Sequence, residues 1–465
     1  MIRCPFLALS ATISNPEHLT EWLQSVKHYW ERRDELFEKG AKAKAYKKTE
    51  KMSYRVHLVL YNKRYNDLEK YVCSMQDSNI SFNHYHPCAA LTTNHMEKYG
   101  IPNDLSCSPR ESLQLYDTMV RVWPEWARRE ELDPEEYTHF KDKVIITKND
   151  TKIFEEELKK ELIDWIREGN REKTSEVLKS LQPPTSSNHV NCADYFPILL
   201  EKLKEEQLLP ALFFEFDIGL VERLASEAAQ LLEMKQEDKL KLLTEKEAEK
   251  LSKKAKRLER EIAKNKSSNE NDDILTNIAN YDSIQQLLRK DEEIPPDCTY
   301  ADTRAVNSEV LTEVFDRTSS SRNAGWLQSL ALRGIGFHHA SLDTKGRSLV
   351  ETLFRMGYIR VVTATGTLAL GINMPCKSVV FVNDSVYLDA LNYRQMSGRA
   401  GRRGQDVLGN VFFFTIPLPK VKRLMKSDVP HLKGQFPLSI SLVLRLMLLA
   451  AKADDKENAS AKVFS

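Results

Sequence analysis

Short apolar runs punctuate the second half of the chain. Leu209 to Asp217 reads LPALFFEFD, Gly334 to Leu342 GIGFHHASL, Arg360 to Gly366 RVVTATG, Ser378 to Asp384 SVVFVND and Gly409 to Ile416 GNVFFFTI. Runs of this length, apolar on both alternating faces, predict strands buried on both sides of a sheet. Between them lie segments of helical period such as KGRSLVETLFRMG, from Lys345 to Gly357. Strands alternating with helices of this length predict an α/β fold with a parallel, doubly wound sheet. Ligands of such sheets collect beyond the carboxyl ends of the strands, so the loops after RVVTAT and near QMSGRAGRRG (Gln395 to Gly404) are expected to carry function.

The first half is patterned less clearly. Phe6 to Leu9 reads as the apolar run of a strand and Ser10-Ala11-Thr12 as a polar turn, but a single strand cannot make a sheet, so this run is expected to have none to join. A helix starting at Asn15-Pro16 follows, with Leu19, Trp22, Leu23 and Val26 at helical spacing. Residues 27–51 are charged and helix-prone, and YRVHLVLY (Tyr54 to Tyr61) alternates as a strand does. Ile153 to Asn170 is predicted helical, with Phe154, Leu158, Leu162, Trp165 and Ile166 on one face and Gly169-Asn170 ending it. Leu181 to Asn191, LQPPTSSNHVN, reads as a linker. From Lys235 to Asp273 the chain is almost all charge; a short seam of Ala248, Leu251, Ala255, Leu258 and Ile262 predicts a solvated helical hairpin interrupting the domain.

Composition narrows the classes. A chain of 465 residues suggests two to four domains, and its net charge of +1 leaves any nucleic-acid attraction to local patches. The seven cysteines contain no C-x-x-C pair, which points to reduced thiols. The nearest approach to a metal-ligand cluster is HYHPC, His84 to Cys88, followed by His95; its alternating spacing suits a strand or turn, so no metal is expected. Pro5 breaks the brief apolar start, and the run from Leu438 is too short for a membrane span and carries Arg445. A cytoplasmic protein without a membrane partner is the expectation.

The stretch from Asn392 to Asn410 sets four arginines among glycines, which suits phosphate. Glycines let the backbone approach closely, and guanidinium forks match pairs of phosphate oxygens. Read as a helix start, the segment would put Arg399 and Arg402 on one face, Gln395 with them, and Arg403 aside. Thr363 to Pro375, TATGTLALGINMP, adds a strand end, hydroxyls, a glycine turn and an Asn, able to meet a nucleic-acid backbone on one side and a nucleotide on the other.

These residues resemble a family. Ser10-Ala11-Thr12 is similar to motif III of superfamily-two helicases, LPALFFEFD to motif IV, TATGTLALGINMP to motif V and QMSGRAGRRG to motif VI. The Q-x-x-G-R-x-G-R form, with GFHHASL and GINMP, resembles the Ski-like branch of DExD/H-box RNA helicases. HPCAALTT and LKGQFPLSISLVLRLMLLAAK resemble the interferon-induced antiviral members of that branch. The resemblance implies that residues 1–26 are a remnant of the first RecA-like lobe and 27–194 a family-specific insertion or linker. It implies that 195–420 form the second lobe, interrupted by the charged insertion from about 227 to 300, and that 421–465 begin a winged-helix region. It also implies roles: Arg402 as the arginine finger, Arg399 on the same phosphate, and Gln395 beside them. Gly371, Asn373 and Gly398 would face the nucleotide, Thr365 or Thr367 an RNA phosphate, and Ser10 and Thr12 would couple hydrolysis to strand separation. Ligands of the complete family protein are ATP, Mg2+ and RNA.

The departures from the family are equally informative. Phosphate cradling needs a Walker A loop, yet no Gly-Lys dipeptide occurs, and DELF at Asp34 and DEEI at Asp291 both follow motif III. The chain is therefore expected to need a first lobe as its partner. The alternatives are a non-catalytic RNA-binding or regulatory module and a protein-interaction scaffold, the last leaving motifs V and VI without a role. The purified chain alone is expected to show no RNA-stimulated ATP hydrolysis; phosphate release above a protein-free control would overturn this.

Overall fold

The computed structural model describes residues 6–10, 12–40, 54–61, 64–76, 79–102, 105–184, 191–262, 294–369, 374–433 and 439–451. The chain divides into two compact units, Met1–Arg64 with Asp428–Ser465, and Tyr65–Ser427.

In the smaller unit, helix α1 (Pro16–Gly40) begins on a proline, whose fixed φ suits a first helical position. One expectation is met here and one fails. Phe6 to Leu9, expected to have no sheet to join, forms no strand, and Leu7 and Leu9 are 83% and 85% exposed. Tyr54 to Tyr61 forms none either; its backbone instead brackets Gln24, whose Oε1 accepts from Val56 N (2.8 Å) and whose amide donates to Tyr54 O (3.1 Å). An apolar or alternating run becomes a strand only where a neighbour completes the ladder, and among the described residues of this unit none does. The segment after Thr12 is tied down by side chains. Ser14 Oγ donates to Pro430 O (3.0 Å), and the Asn15 amide donates to Leu432 O (3.0 Å) and accepts from Leu432 N (2.8 Å). A helix follows at Ile440–Ala451.

The larger unit is built on one seven-stranded sheet. Its strands are β1 (Asp67–Gln76), β2 (Asn79–His84), β3 (Ala211–Phe214), β4 (Ile335–His338), β5 (Val361–Ala364), β6 (Ser378–Val382) and β7 (Leu408–Phe414). They lie in the order β2-β1-β7-β6-β3-β5-β4, parallel throughout except for the antiparallel β1–β2 hairpin. The expected α/β architecture is present, with β3 to β7 coming from the five apolar runs. β1 extends that sheet from a part of the chain whose pattern did not announce it: Asp67, Glu69 and Lys70 are all buried. Phe412 of β7 holds the hairpin in place, its ring stacked on Tyr71 (5.1 Å) and against Phe82 (4.6 Å). Burying such a ring contributes roughly 1.5–3 kcal/mol.

Helices α2 (Thr93–Tyr99), α3 (Pro109–Val122), α4 (Lys148–Arg167) and α5 (Arg171–Ser180) form a layer beside the hairpin. Capping boxes start α3 (Ser108 with Glu111) and α4 (Thr147 with Asp150). The α4 residues predicted to share a face are all buried. Next come α6 (Cys192–Glu205) and α7 (Ile218–Ile262). Val221, Leu224, Ala225, Ala228, Ala229 and Leu232 bury the first turns of α7. The base of its charged extension is held by Lys235–Glu201 (3.1 Å) and by Arg333 donating to Gln236 Oε1 (2.6 Å). The helix is continuous to Ile262; the return arm of the expected hairpin lies outside the described residues. Among the described residues the remaining helices of this unit are α8 (Ser308–Thr318), α9 (Ala324–Leu332), α10 (Thr344–Arg355), α11 (Ala390–Ser397) and α12 (Leu418–Lys426).

Parallel register sets two edges. Phe214, His338 and Ala364 align at the carboxyl edge, while Ser378 lies opposite Asn410 at the amino edge. Gly334 makes the tight entry to β4 at φ +73°, and its carbonyl accepts from Arg360 N (3.0 Å) and Val361 N (3.1 Å). A Cβ there would fall 2.0 Å from Ala301 N. Gly334→Ala is expected to destabilise the unit by about 3 kcal/mol, from strained φ plus backbone overlap. An unchanged urea midpoint would refute this.

Candidate functional site

Helix α11 is placed by its apolar face. Tyr393 packs against Phe381 (5.5 Å) and Phe413 (5.9 Å), and Asp389 caps the start by accepting from Asn392 N (2.8 Å). The helix ends at Ser397, and Gly398 closes it with its N–H on Arg394 O (2.9 Å). A Cβ at Gly398 would sit 2.9 Å from that same oxygen. Gly401 (φ +87°) and Gly404 (φ +77°) then turn the chain through the left-handed region.

The helical-face expectation is therefore corrected. Gln395 sits half-buried on the last helical turn, whereas Arg399 and Arg402 lie beyond it, in the glycine turn. A second expectation is corrected by the register. Cys376 N donates to Arg399 O (3.1 Å) and Gly401 N to Cys376 O (2.8 Å), zipping the arginine turn to the residues just before β6. The turn thus lies at the amino edge of the sheet, because it must feed β7 in parallel with β6. Thr365 leaves β5 at the carboxyl edge. Residues 365–376 cross between the edges; Gly371 and Asn373 on that path lie outside the described residues. Arg399 reaches back onto the same path, its Nη2 donating to Ala369 O (2.6 Å).

Arg402 is held by a fork. Its Nε and backbone N donate to Asp406 Oδ2 (2.8 and 2.9 Å) and its Nη2 to Oδ1 (2.8 Å). The Asn66 amide donates to the Asp406 carbonyl, and Arg403 stacks over the Tyr65 ring at 4.8 Å. These residues at the entry to β1 brace the turn. Hydrogen bonds to Asp406 raise the Arg402 pKa, while burial lowers that of Arg399. Arg399 thus carries a desolvation cost that an anion would offset.

At the carboxyl edge, Thr365 N–H donates to His338 O (3.1 Å), and the Thr365 and Thr367 hydroxyls are 3.4 Å apart. His338 is engaged on both ring nitrogens, with Thr367 Oγ1 (2.9 Å) and Glu351 Oε1 (3.0 Å), and burial holds its pKa down. His339 Nε2 meets Glu222 Oε1 (2.9 Å), and its Nδ1 is buried with no hydrogen-bond partner among the described residues. Ser10 and Thr12 belong to the smaller unit, where Thr12 N donates to Ser10 Oγ (3.4 Å). The structure brings Thr365 together with Thr367, whereas Arg399 and Arg402 share one turn with their guanidinium groups on separate partners, Ala369 O and Asp406.

Sequence reasoning missed Asp406, Asn66 and Tyr65. An acid four residues after Arg402 was a readable signal for the first; nothing local marks the other two.

A parallel sheet with a glycine-arginine turn at one edge and strand-end hydroxyls at the other defines the second RecA-like lobe of a helicase. Residues 312–404 match the model "Helicase conserved C-terminal domain", and residues 432–465 match "DDX60-like, winged helix domain". The chain belongs to this helicase family, in its DDX60-like group. It is 50% identical to the human "Probable ATP-dependent RNA helicase DDX60-like", over 100% of this chain and 28% of that protein. It is 32% identical to the Caenorhabditis elegans "Uncharacterized helicase C28H8.3", over 98% of this chain and 27% of that protein. It is 36% identical to the mouse "Superkiller complex protein 2", over 27% of this chain and 11% of that protein. The chain thus spans little more than a quarter of the length of these human and Caenorhabditis elegans relatives. Among the described residues no helix is long and apolar enough to cross a membrane.

Burial pushes the Asp406 carboxyl up, but the Arg402 hydrogen bonds and charge outweigh it and hold it below the usual carboxylate range. The pair's contribution is therefore full above the unfolded value of about 3.9 and fades as pH falls through the lower folded value. Asp406→Asn is expected to cost about 1–3 kcal/mol at pH 7. The difference from wild type should shrink toward pH 3 in denaturant titrations, and a pH-independent gap would contradict this account.

Proposed function

We propose that this chain forms the second lobe of an ATP-driven RNA helicase, presenting Arg399 and Arg402 to nucleotide phosphates bound mainly by another lobe. The observation that carries the reading is the joining of both arginines to one glycine turn zipped against Cys376. Two guanidinium groups among glycine amides are the donor set that a polyphosphate takes. Arg402 acts as the finger: its fork, now on a carboxylate, exchanges that anion for the transferring phosphoryl group and offsets the charge developing there. Arg399 fixes the same phosphate, with Gln395 and Gly398 supporting the turn. The acid nearest the arginines, Asp406, is taken by Arg402, so the carboxylate for magnesium comes from outside this turn.

RNA backbone is assigned to the opposite edge, where Thr365 and Thr367 present hydroxyls. Gly371 and Asn373, between Ala369 and Met374 in the sequence, couple the two events, as do Ser10 and Thr12. ATP and Mg2+ are thus ligands of the assembled two-lobe protein, and a first lobe and RNA are the partners. Six described cysteines, all buried and unpaired, support a cytoplasmic setting.

The test is Arg402→Ala in a full-length protein containing both lobes. Its RNA-stimulated kcat is expected to fall by roughly a thousand-fold, with RNA affinity changed only a few-fold. Turnover near wild type would overturn the finger assignment. Thr365→Val should do the reverse, weakening single-stranded RNA binding. Failure of the wild-type protein to bind RNA even at low salt would leave the scaffold reading standing.

A further inference from the structure

The helical layer beside the hairpin holds a cluster that the helicase reading does not use. His86 Nδ1 or Nε2, Cys88 Sγ and Cys107 Sγ all lie within 4.8 Å of one another, and all three residues are buried. Cys88 sits in the 3-10 turn Pro87–Ala90, and Cys107 directly precedes Ser108, the cap of α3.

Two thiols and an imidazole suggest a soft metal ion, but the ring is committed. His86 Nδ1 accepts from Cys88 N (3.1 Å) as the cap of the 3-10 turn, and Nε2 lies 2.9 Å from Glu111 O, which can only accept. The neutral ring so fixed has no lone pair to spare, and zinc sites closed by protein want four ligands. The surroundings are cationic as well. Lys152 donates to Cys107 O (2.8 Å); Lys159 donates to Leu105 O (2.5 Å) and pairs with Glu155 (2.6 Å), which also accepts from Cys107 N (2.7 Å).

We propose that Cys88 and Cys107 are a peroxide-reactive dithiol that closes to an intrachain disulfide. Hydrogen bonding from Cys107 holds the Cys88 thiol well below its ordinary range, with the charge of Lys159 adding to the effect. The same hydrogen bond keeps Cys107 as the thiol. Cys88 is thus the attacking thiolate and Cys107 the resolving group beside it.

In the first step the Cys88 sulfur attacks a peroxide oxygen. The O–O bond breaks, leaving Cys88 sulfenic acid and a hydroxide that takes up the proton Cys88 had lost. In the second step the Cys107 sulfur attacks the sulfenic sulfur, the S–O bond breaks, and the departing hydroxide takes the Cys107 proton. Two electrons pass from the sulfurs to hydrogen peroxide, and two waters leave. The product ties the 3-10 turn, which packs on α5 and α12, to the start of α3.

The test uses the whole chain, reduced and freed of reductant, then exposed to hydrogen peroxide, denatured and alkylated with iodoacetamide. The untreated chain should take up seven adducts, one for each cysteine. The treated chain should take up five, and a digest should yield one linked peptide pair containing Cys88 and Cys107. Cys107→Ser should stop at the sulfenic acid, trapped on Cys88 by dimedone; if that variant fails to fold, the wild-type digest still decides. Seven adducts after peroxide, a cross-link between other cysteines, or Cys88 oxidised without a cross-link would each overturn the proposal. So would stoichiometric zinc in the purified chain, released to a chromophoric chelator only when the thiols are blocked.

Discussion

A parallel sheet imposes one constraint from which the rest of this site follows: every connection must carry the chain from the carboxyl edge back to the amino edge. β5 and β6 are not adjacent, since β3 lies between them, so the segment from Thr365 to Cys376 has to cross the sheet as well as travel its length. It starts among strand-end hydroxyls and finishes zipped to the arginine turn. Its described start is the 3-10 turn Gly366–Leu368, and the Ala369 carbonyl accepts from Arg399.

The turn itself relies on residues remote in sequence. Asn66 packs so closely on Gly401 that a Cβ there would come within 2.9 Å of its own Cβ. Tyr65 supports Arg403, and β1, which follows them, pairs with β7, the strand that the turn feeds. The hairpin is therefore more than an appendage to the sheet: it sets the floor on which the arginine turn rests.

Much of the sheet was legible because β3 to β7 are apolar on both faces, a pattern that burial alone dictates. The arginine turn was legible as chemistry but misplaced in space. Periodicity treats residues 395–402 as continuous helix, whereas the glycines end it at Ser397. β1 could not be read, since Asp67, Glu69 and Lys70 are buried through ion pairs and hydrogen bonds with distant partners such as Lys148 (3.0 Å from Asp67) and Ser108 (3.0 Å from Glu69). Tyr54 to Tyr61 was over-read for the converse reason: its pattern is strand-like, but strands are made by neighbours, the lack of which was legible for Phe6 to Leu9. Cys107 joined His86 and Cys88 through tertiary contacts, Glu111 of α3 on His86 and Glu155 of α4 on Cys107 N, which no spacing rule encodes.

The bond between Arg402 and Asp406 bears on what the resting lobe ignores. A guanidinium left bare beside a nucleic-acid track would adhere to any backbone phosphate, each of which carries a single charge. Asp406 already offers that much charge, in a fork of ideal shape and partly out of water. A terminal nucleotide phosphate carries closer to two. On the proposed reading, Asp406 acts as an internal competitor that sets a threshold, so the finger discriminates among anions before any catalytic step begins.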